Sequence, residues 1–583
     1  MRKKRMETGP APTNRRKFLG TVSAAAAAAV ALPALSALTA PSAYADDIGP
    51  QGGQARADRS EEIRNNAAEA ESHVAIPHHQ DNGDEVRYAN KIGNYSKNLK
   101  HDPTTGEVDL AAYGALIAAI SSGRFSDFEA LATNGHFGSD NPAFQRRLVN
   151  PGSGYAFDLE GTDSHQLKLR PAPAFASAQE ASEMAELYWM ALLRDVNFAD
   201  YNTSPLAQSA ATDLSGLSDF RGPKVNGAVT PQTLFRDSYP GCTVGPYISQ
   251  FLLQPVNFGS QRIDTRMQMV APNFDYMTTF ASWLDVQNGV NTPPIPVAGS
   301  LVFCRNARDL THYVNIDALF EAYFVSCLNL LDNGYLANAG NPYGRIMDGG
   351  AGRPRNSVID PNGSLAQVGF GTFGGPACLT LACEPATRAL KDVWYQKWLV
   401  HRRLRPEEFG GRVEVQRAGL RTYPIHPDLT HKSTVLSSIF SQYGSNLLPM
   451  AFPEGSPMHT SYGSGHATVA GAAVTMLKAL FDETQLIKNP VIPNPADGGL
   501  TLIPYCPPSG EPPLTLGGEL NKIVSNISQG RNMAGVHWRS DAVESNALGE
   551  AATISMLRDM RRLFSEPFNG YTFTKFDGTT ITV

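Results

Sequence analysis

The chain has little from which to build a covalent scaffold: its 583 residues include six cysteines. Cys242, Cys304, Cys327, Cys378, Cys383 and Cys506 are too scattered for a disulfide framework, and none forms a zinc-type CxxC pair. One or two bridges after export stay open. A basic excess is missing as well. The net charge is -6 at pH 7, so nothing in the balance points to nucleic acid, and each cluster of Lys and Arg needs a local explanation. There is no internal repeat. Beyond the N-terminal region no apolar run is long enough to span a bilayer. What remains is a globular chain long enough to bury a substantial core.

The N-terminus carries an address. Asn14-Arg15-Arg16-Lys17-Phe18-Leu19-Gly20 precedes an alanine-rich run from Thr21 to about Leu38, and Ala43-Tyr44-Ala45 follows as a small-x-small cleavage site. Alanine is only weakly apolar and Pro33 interrupts the run, which argues against a membrane anchor. Residues 1–45 therefore read as a twin-arginine export signal, with a periplasmic or extracellular destination. Residues 46–310 read as an N-terminal helical region, opening with a polar, charge-mixed arm that would serve oligomerisation. Residues 311–583 read as a C-terminal helical region that carries the site.

Periodicity places several elements. Ser177 and Glu180 form a capping box ahead of Met184, Leu187, Tyr188, Ala191 and Leu192, which recur at helical spacing. A second helix is expected from about Ile316 to Leu331, with Cys327 as core filler. The stretch 338–376 is rich in Gly and Pro and too long for a passive connection; its Asp348 and Asp360 could hold a hard cation such as Ca2+, although a solvated loop explains them as well. A second Pro-rich loop is expected over 489–513. Residues 571–583 alternate about Asp577-Gly578, the signature of a terminal hairpin. The balance is mainly α: helical bundles with small β-hairpins.

Three stretches carry the chemistry. A helix is expected from about Ala386, after Pro385, to Leu404, before Pro406. On it Trp394, Lys397, His401 and Arg405 would fall within an arc of about 80°. A solvated basic face is the plain reading of such a helix, and Trp394 weakens it. Arg405 could fork onto two oxygens of a tetrahedral anion. Next, Gly463-Ser464-Gly465-His466 opens an alanine- and valine-rich helix, where free N–H groups and the dipole favour an anion. His466 is placed to move a proton on a bound oxygen. By itself this string resembles any Gly/Ser turn. The third stretch ends a helix running from about Leu520 to Met533. Arg531 lies in its last turn, His537 six residues on, and Asp541 four beyond that, close enough to orient the imidazole if helix resumes. A neutral imidazole at 537 could attack phosphorus or ligate a metal.

Together these stretches resemble the vanadate site of the vanadium-dependent haloperoxidases, whose helical-bundle fold and anion pocket are shared with the type 2 phosphatidic acid phosphatase superfamily. The likeness is greatest to the bromoperoxidases of red algae and their bacterial relatives. It is carried by Gln396-Lys397, by His401 through Glu407, and by Glu454-Gly455-Ser456-Pro457 with His459. It continues in Ser461 through His466, Gly530 through His537, and Lys575 through Ile581. The resemblance implies that His537 is the axial vanadium ligand. It implies that Lys397, Arg405, Ser464, the Gly465 N–H and Arg531 hydrogen-bond the vanadate oxygens. His466 would be the acid/base, Lys397 would polarise bound peroxide, and His459 would be a second pocket histidine beside the halide approach. Trp394 would sit at that approach too. Red-algal relatives often carry arginine there, which puts halide preference in doubt. His401 and Asp541 would stand behind the ligands. The implied partners are hydrogen peroxide, halide and small organic acceptors, with no nucleic acid and no stable membrane span. The implied assembly is a homo-oligomer, from dimer to dodecamer.

Two rivals use the same residues. An acid phosphatase would take His537 as nucleophile, His466 as leaving-group acid and Asp541 as orienter. A non-catalytic oxyanion-binding or shell-forming protein would need the cations but has little use for His466 and His537 together.

Overall fold

The computed structural model describes residues 52–139, 141, 145–344 and 366–583. The export signal and the two acidic residues of the 338–376 loop, Asp348 and Asp360, lie outside the described residues. The chain divides into two compact units, Met1–His73 and Val74–Val583. The described part of the first is a single helix, Gly53–Ser72, with no buried residue. Everything below concerns the second.

Its helices follow their caps. Helix α1 spans Ala178–Leu192, and the Ser177 hydroxyl accepts the N–H of Glu180 at its start. The expected box is only half made: the Glu180 carboxylate turns inward to the Arg403 guanidinium instead of back to the cap. The helix expected from about Ile316 to Leu331 starts later, as α3 (Glu321–Asp332), and a separate helix α2 (Ala307–Ile316) precedes it, the two meeting at 101°. Asp317 leaves helical geometry at φ -62° and ψ 146°. The Glu321 carboxylate then accepts the Ala318 N–H at 3.2 Å and restarts the helix. Cys327 is fully buried in the core, and none of the six cysteines forms a disulfide.

The helix expected over 386–404 is also shorter and composite. Helix α4 (Pro385–Tyr395) passes into a π-helical turn over Gln396–His401, closed by a bond from Arg402 N to Lys397 O at 3.1 Å. Arg402 takes a left-handed φ of 43°, which ends it. The chain runs on past a bridge between Arg403 and Asn94, and Arg405 becomes the N-cap of α5 (Pro406–Arg417). So Arg405 does not share a helix with Lys397.

Two helices form the centre. In α6 (Gly465–Leu480) every residue except His466 is buried, and in α7 (Leu516–Met533) every residue is. Burial on every side puts both in the middle of the bundle, α6 with a mostly apolar surface and α7 with buried polar side chains that must find partners there. Helix α8 (Arg539–Met560) crosses α6 at two glycines: a Cβ on Gly471 would lie 2.2 Å from Asn546 O, and one on Gly549 2.0 Å from Thr468 O. Only glycine allows that approach.

Among the described residues, four two-stranded antiparallel sheets complete the unit. They are Val256–Phe258 with Gln261–Ile263, Met267–Val270 with Val297–Val302, Val491–Pro493 with Leu502–Pro504, and Thr572–Thr574 with Thr580–Thr582. The third replaces what reads in sequence as the 489–513 loop. The fourth is the expected terminal hairpin, with Gly578 at φ 82° in its turn. Among the described residues no single helix is long and apolar enough to cross a membrane.

Candidate oxyanion site

The site forms where the start of α6, the end of α7 and the π turn after α4 converge. Ser464 caps α6, its hydroxyl accepting the Ala467 N–H at 3.3 Å, while its own N–H is held by Ser545 Oγ at 2.8 Å. Gly465 and His466 occupy the first turn, whose N–H groups have no acceptor within the helix. A Cβ on Gly465 would come within 3.1 Å of the Trp394 ring, a tight contact that would press the ring back by a few tenths of an ångström.

Three cations surround this turn. Lys397 and Arg405 are 0% exposed and Arg531 is 5% exposed. Lys397 Nζ donates to Thr460 O at 2.8 Å and Ser461 O at 2.9 Å, and lies 5.6 Å from the centre of the Trp394 ring. Arg405 donates to His459 O at 2.9 Å and Val536 O at 2.6 Å; its two terminal nitrogens also meet His537 Nε2 at 3.0 Å and His459 Nδ1 at 2.9 Å. Arg531 donates to Val314 O at 2.6 Å, and its Nε is buried without a partner. Every bond these cations make goes to a backbone carbonyl or an imidazole. Among the described residues none goes to a carboxylate.

Buried Arg236 and Arg412 likewise bond only backbone carbonyls, but in the site three such cations act on one another, and several other buried cations do pair with a carboxylate. Lys97 pairs with Glu407, Arg403 with Asp541 at 2.8 Å, and Arg539 with Asp237 at 3.3 Å. A buried charge without a counter-ion is costly. The cost shows in the titration: burial pulls Arg405 and Arg531 each down to about 10, and burial together with Arg405 and Arg531 holds Lys397 well below the usual lysine range. The arrangement calls for an anion.

The imidazoles are set in definite states. His537 Nδ1 lies 2.8 Å from Asp541 Oδ2. Because an Arg405 N–H faces Nε2, that nitrogen is the acceptor, and the ring proton sits on Nδ1 toward the carboxylate. Burial, then Arg405 and Lys397, hold His537 neutral by pushing its pKa well down. Asp541 also takes the Ser461 hydroxyl, Arg403 Nη1 at 2.8 Å and Trp538 N at 3.2 Å. Helix α8 does resume at Arg539, as the spacing of His537 and Asp541 requires.

His466 is the most open of the set, with its side chain 21% exposed, and its Nε2 meets Asp317 Oδ1 at 3.2 Å. Burial and Arg531 lower its pKa, opposed by Asp317. His459 packs on Trp394 with ring centres 4.8 Å apart and lies 6.4 Å from the His537 ring. Trp394 itself is anchored by Nε1 to Val149 O at 3.0 Å.

The structure thus brings together Trp394, Lys397, Arg405, His459, Ser464, Gly465, His466, Arg531, His537 and Asp541. His401 stands apart: it packs edge-on against Tyr462 and bonds no member of the cluster. Three contributors escape a sequence reading. Asp317 reads as an ordinary first-turn acidic residue of the helix expected from about Ile316. Arg403 looks like one more exposed cation, yet is fully buried between Glu180 and Asp541. Ser545 has no motif at all.

Known proteins resemble this chain over most of its length. Residues 393–566 match a family model described as the VCPO second helical-bundle domain. A vanadium-dependent bromoperoxidase of Corallina pilulifera is 33% identical over 91% of this chain and 99% of its own. One of Ascophyllum nodosum is 34% identical over 84% of this chain and 86% of its own. Among solved structures, the homohexameric second vanadate-dependent bromoperoxidase (AnII) of Ascophyllum nodosum superposes with a TM-score of 0.83. The two chains are 29% identical, and the match covers 93% of this one and 92% of the other.

Proposed function

The chain belongs to the vanadium-dependent bromoperoxidase family, and from that premise we propose that it oxidises bromide with hydrogen peroxide to hypobromous acid, which then halogenates organic acceptors. One observation carries the reading: three buried cations, an unprotonated imidazole nitrogen and a helix start converge, and among the described residues none of the three cations bonds a carboxylate. That donor set fits vanadate, a tetrahedral oxyanion that also accepts a nitrogen ligand.

His537 Nε2 is the nitrogen that would bind the metal. Lys397, Arg405, Arg531, the Ser464 hydroxyl and the Gly465 N–H would hold the oxygens. When bound, vanadate supplies a Lewis acid that activates peroxide toward halide without changing its own oxidation state. The protein does the rest. Asp541 keeps the proton of His537 on Nδ1 and the lone pair on Nε2. His466, held by Asp317 and open to solvent, gives or takes the proton at the nearest oxygen. The cations act from fixed positions in a dry site, where preorganised charge is worth far more than in water. Trp394 and His459 wall the side from which halide approaches, and Trp394 brings no charge to that approach.

Formation of hypobromous acid consumes one peroxide, one bromide and one proton, and releases water. The test is bromination of a dione dye by purified protein with peroxide and bromide, before and after orthovanadate is added to the apoenzyme. Bromination that depends on vanadate supports the reading. Cleavage of p-nitrophenyl phosphate, inhibited by vanadate and with no bromination, would replace it with the phosphatase.

Residues 1–45 support export by the twin-arginine route, to be read from the N-terminus of the secreted protein. The hexameric relative supports a homo-oligomer, which light scattering would measure. Metal analysis of the same preparation tests a calcium ion at Asp348 and Asp360.

A further inference from the structure

Beside the site lies a cavity of about 200 Å³ that none of the roles above uses. It is closed by the helix Gln250–Leu253, the link between strands Gln261–Ile263 and Met267–Val270, and the bend between α2 and α3. Its wall includes Asp317, whose other contact is His466 Nε2 at 3.2 Å. Anything lodged here is therefore one carboxylate away from the acid/base histidine.

The cavity is half apolar and half polar. Phe251, Ile263, Met267 and Val325 supply the apolar part. The polar part includes His312, which is 4% exposed and has no hydrogen-bond partner on either ring nitrogen. An unpaired buried imidazole is costly, and a partner entering the cavity removes that cost. Burial lowers the pKa of His312, so the ring is neutral and offers one donor and one acceptor. The remaining charges are Asp264, Arg266, Asp317 and Glu321. Arg266 is already matched by Asp264 at 2.6 Å, so two carboxylates are left in excess. That field repels anions. The volume suits one aromatic ring and its substituents, below the usual range for larger ligands.

We propose that this cavity is the acceptor site, and that it takes a neutral phenol whose hydroxyl pairs with His312 and whose ring lies on the apolar wall. The inference rests on the haloperoxidase reading. In the reaction, an electron pair of the ring carbon takes bromine from hypobromous acid as the O–Br bond breaks. The hydroxide released leaves with the ring proton as water. Halogenation then happens on a held ring rather than in bulk solution.

The experiment uses the vanadate-loaded enzyme with phenol, with the anion 4-hydroxybenzoate as comparison, and two variants, His312→Leu and Ala322→Trp. Bromide oxidation without acceptor is followed as tribromide. Phenol binding is measured separately by calorimetry. The expected result is saturable phenol bromination with an ortho-to-para ratio unlike that of reagent hypobromous acid. Loss of one hydrogen bond raises the phenol KM about tenfold in His312→Leu. 4-Hydroxybenzoate shows no saturation, and tribromide formation is unchanged. An isomer ratio equal to that of the free reagent, and indifferent to both variants, overturns the acceptor site while leaving the haloperoxidase intact. Absence of tribromide in the wild type overturns the haloperoxidase reading instead. The calorimetry still decides the cavity: phenol binding lost in His312→Leu supports it, and no binding to the wild type overturns it.

Discussion

Arg402 and Arg403 are adjacent and identical in letter, yet one bonds Glu85 near the surface and the other is sealed between Glu180 and Asp541. The left-handed turn at Arg402 makes the difference, and no local pattern announces it. Lys397, Arg405, Ser464, His466, Arg531 and His537 were legible because each sits in a short motif at fixed spacing. Asp317, Arg403 and Ser545 were not, because they reach the site only through tertiary packing. Asp541 lies between these cases, legible from its i+4 distance to His537. Replacing it tests the role: Asp541→Asn removes the charge that fixes the His537 proton. Vanadate affinity falls about 10- to 100-fold, the range for partners of a metal ligand, read by titrating apoenzyme activity with orthovanadate. His401 makes the contrast. Because it bonds no member of the cluster, His401→Phe leaves that affinity within about twofold. The same variant changes acid stability. Burial pulls the His401 pKa down to about 3, so the unfolded chain binds its proton first as pH falls. The stabilising contribution is present above about pH 6.5 and is lost as pH falls from there toward 3. At pH 5 the wild type forgoes at most about 2 kcal/mol through this residue, and the variant does not. Urea unfolding at pH 7 and pH 5 measures the difference.

Among elements, the sequence shows where helices lie better than where they break. The π turn over Gln396–His401 falls inside what reads as continuous helix, the 101° bend at Asp317 falls where one is expected to start, and both place functional groups. Local propensity is silent on each, since the deviations are stabilised from outside: Thr460 Oγ donates at 3.0 Å to the Lys397 carbonyl that also closes the π turn, and Asp317 is bound by His466. Pi turns of this kind recur at functional sites. The crossing of α6 and α8 was equally hidden, because a glycine among alanines gives no hint of a neighbouring backbone. Gly471→Ala forces that crossing apart, with Asn546 O only 2.2 Å from the new Cβ. The expected cost is about 1–3 kcal/mol, seen as a lower denaturation midpoint. Vanadate affinity falls along with it, since the start of α6 carries Ser464 and Gly465.

For the molecule as a whole, the mainly helical class and the terminal hairpin could be foreseen from apolar periodicity and turn chemistry. The small hairpin at 491–504 could not, being built from two three-residue strands within a Pro-rich stretch. Anion binding at the site couples to the stability of the entire fold. Orthovanadate at a hundred times its dissociation constant adds about 2.7 kcal/mol to stability by mass action. Thermal scans with and without vanadate will show a raised midpoint, and chloride at equal ionic strength will not reproduce it. The three cations with no carboxylate have one more consequence, and it concerns time. When a bound oxyanion leaves, it uncovers Lys397, Arg405 and Arg531 at once, so departure must climb a repulsion that arrival does not meet. Residence, more than capture, is what such a pocket enforces. An enzyme filled once in a vanadate-rich compartment would carry its metal unchanged into dilute surroundings, behaving over its working life as though the ion were covalently attached.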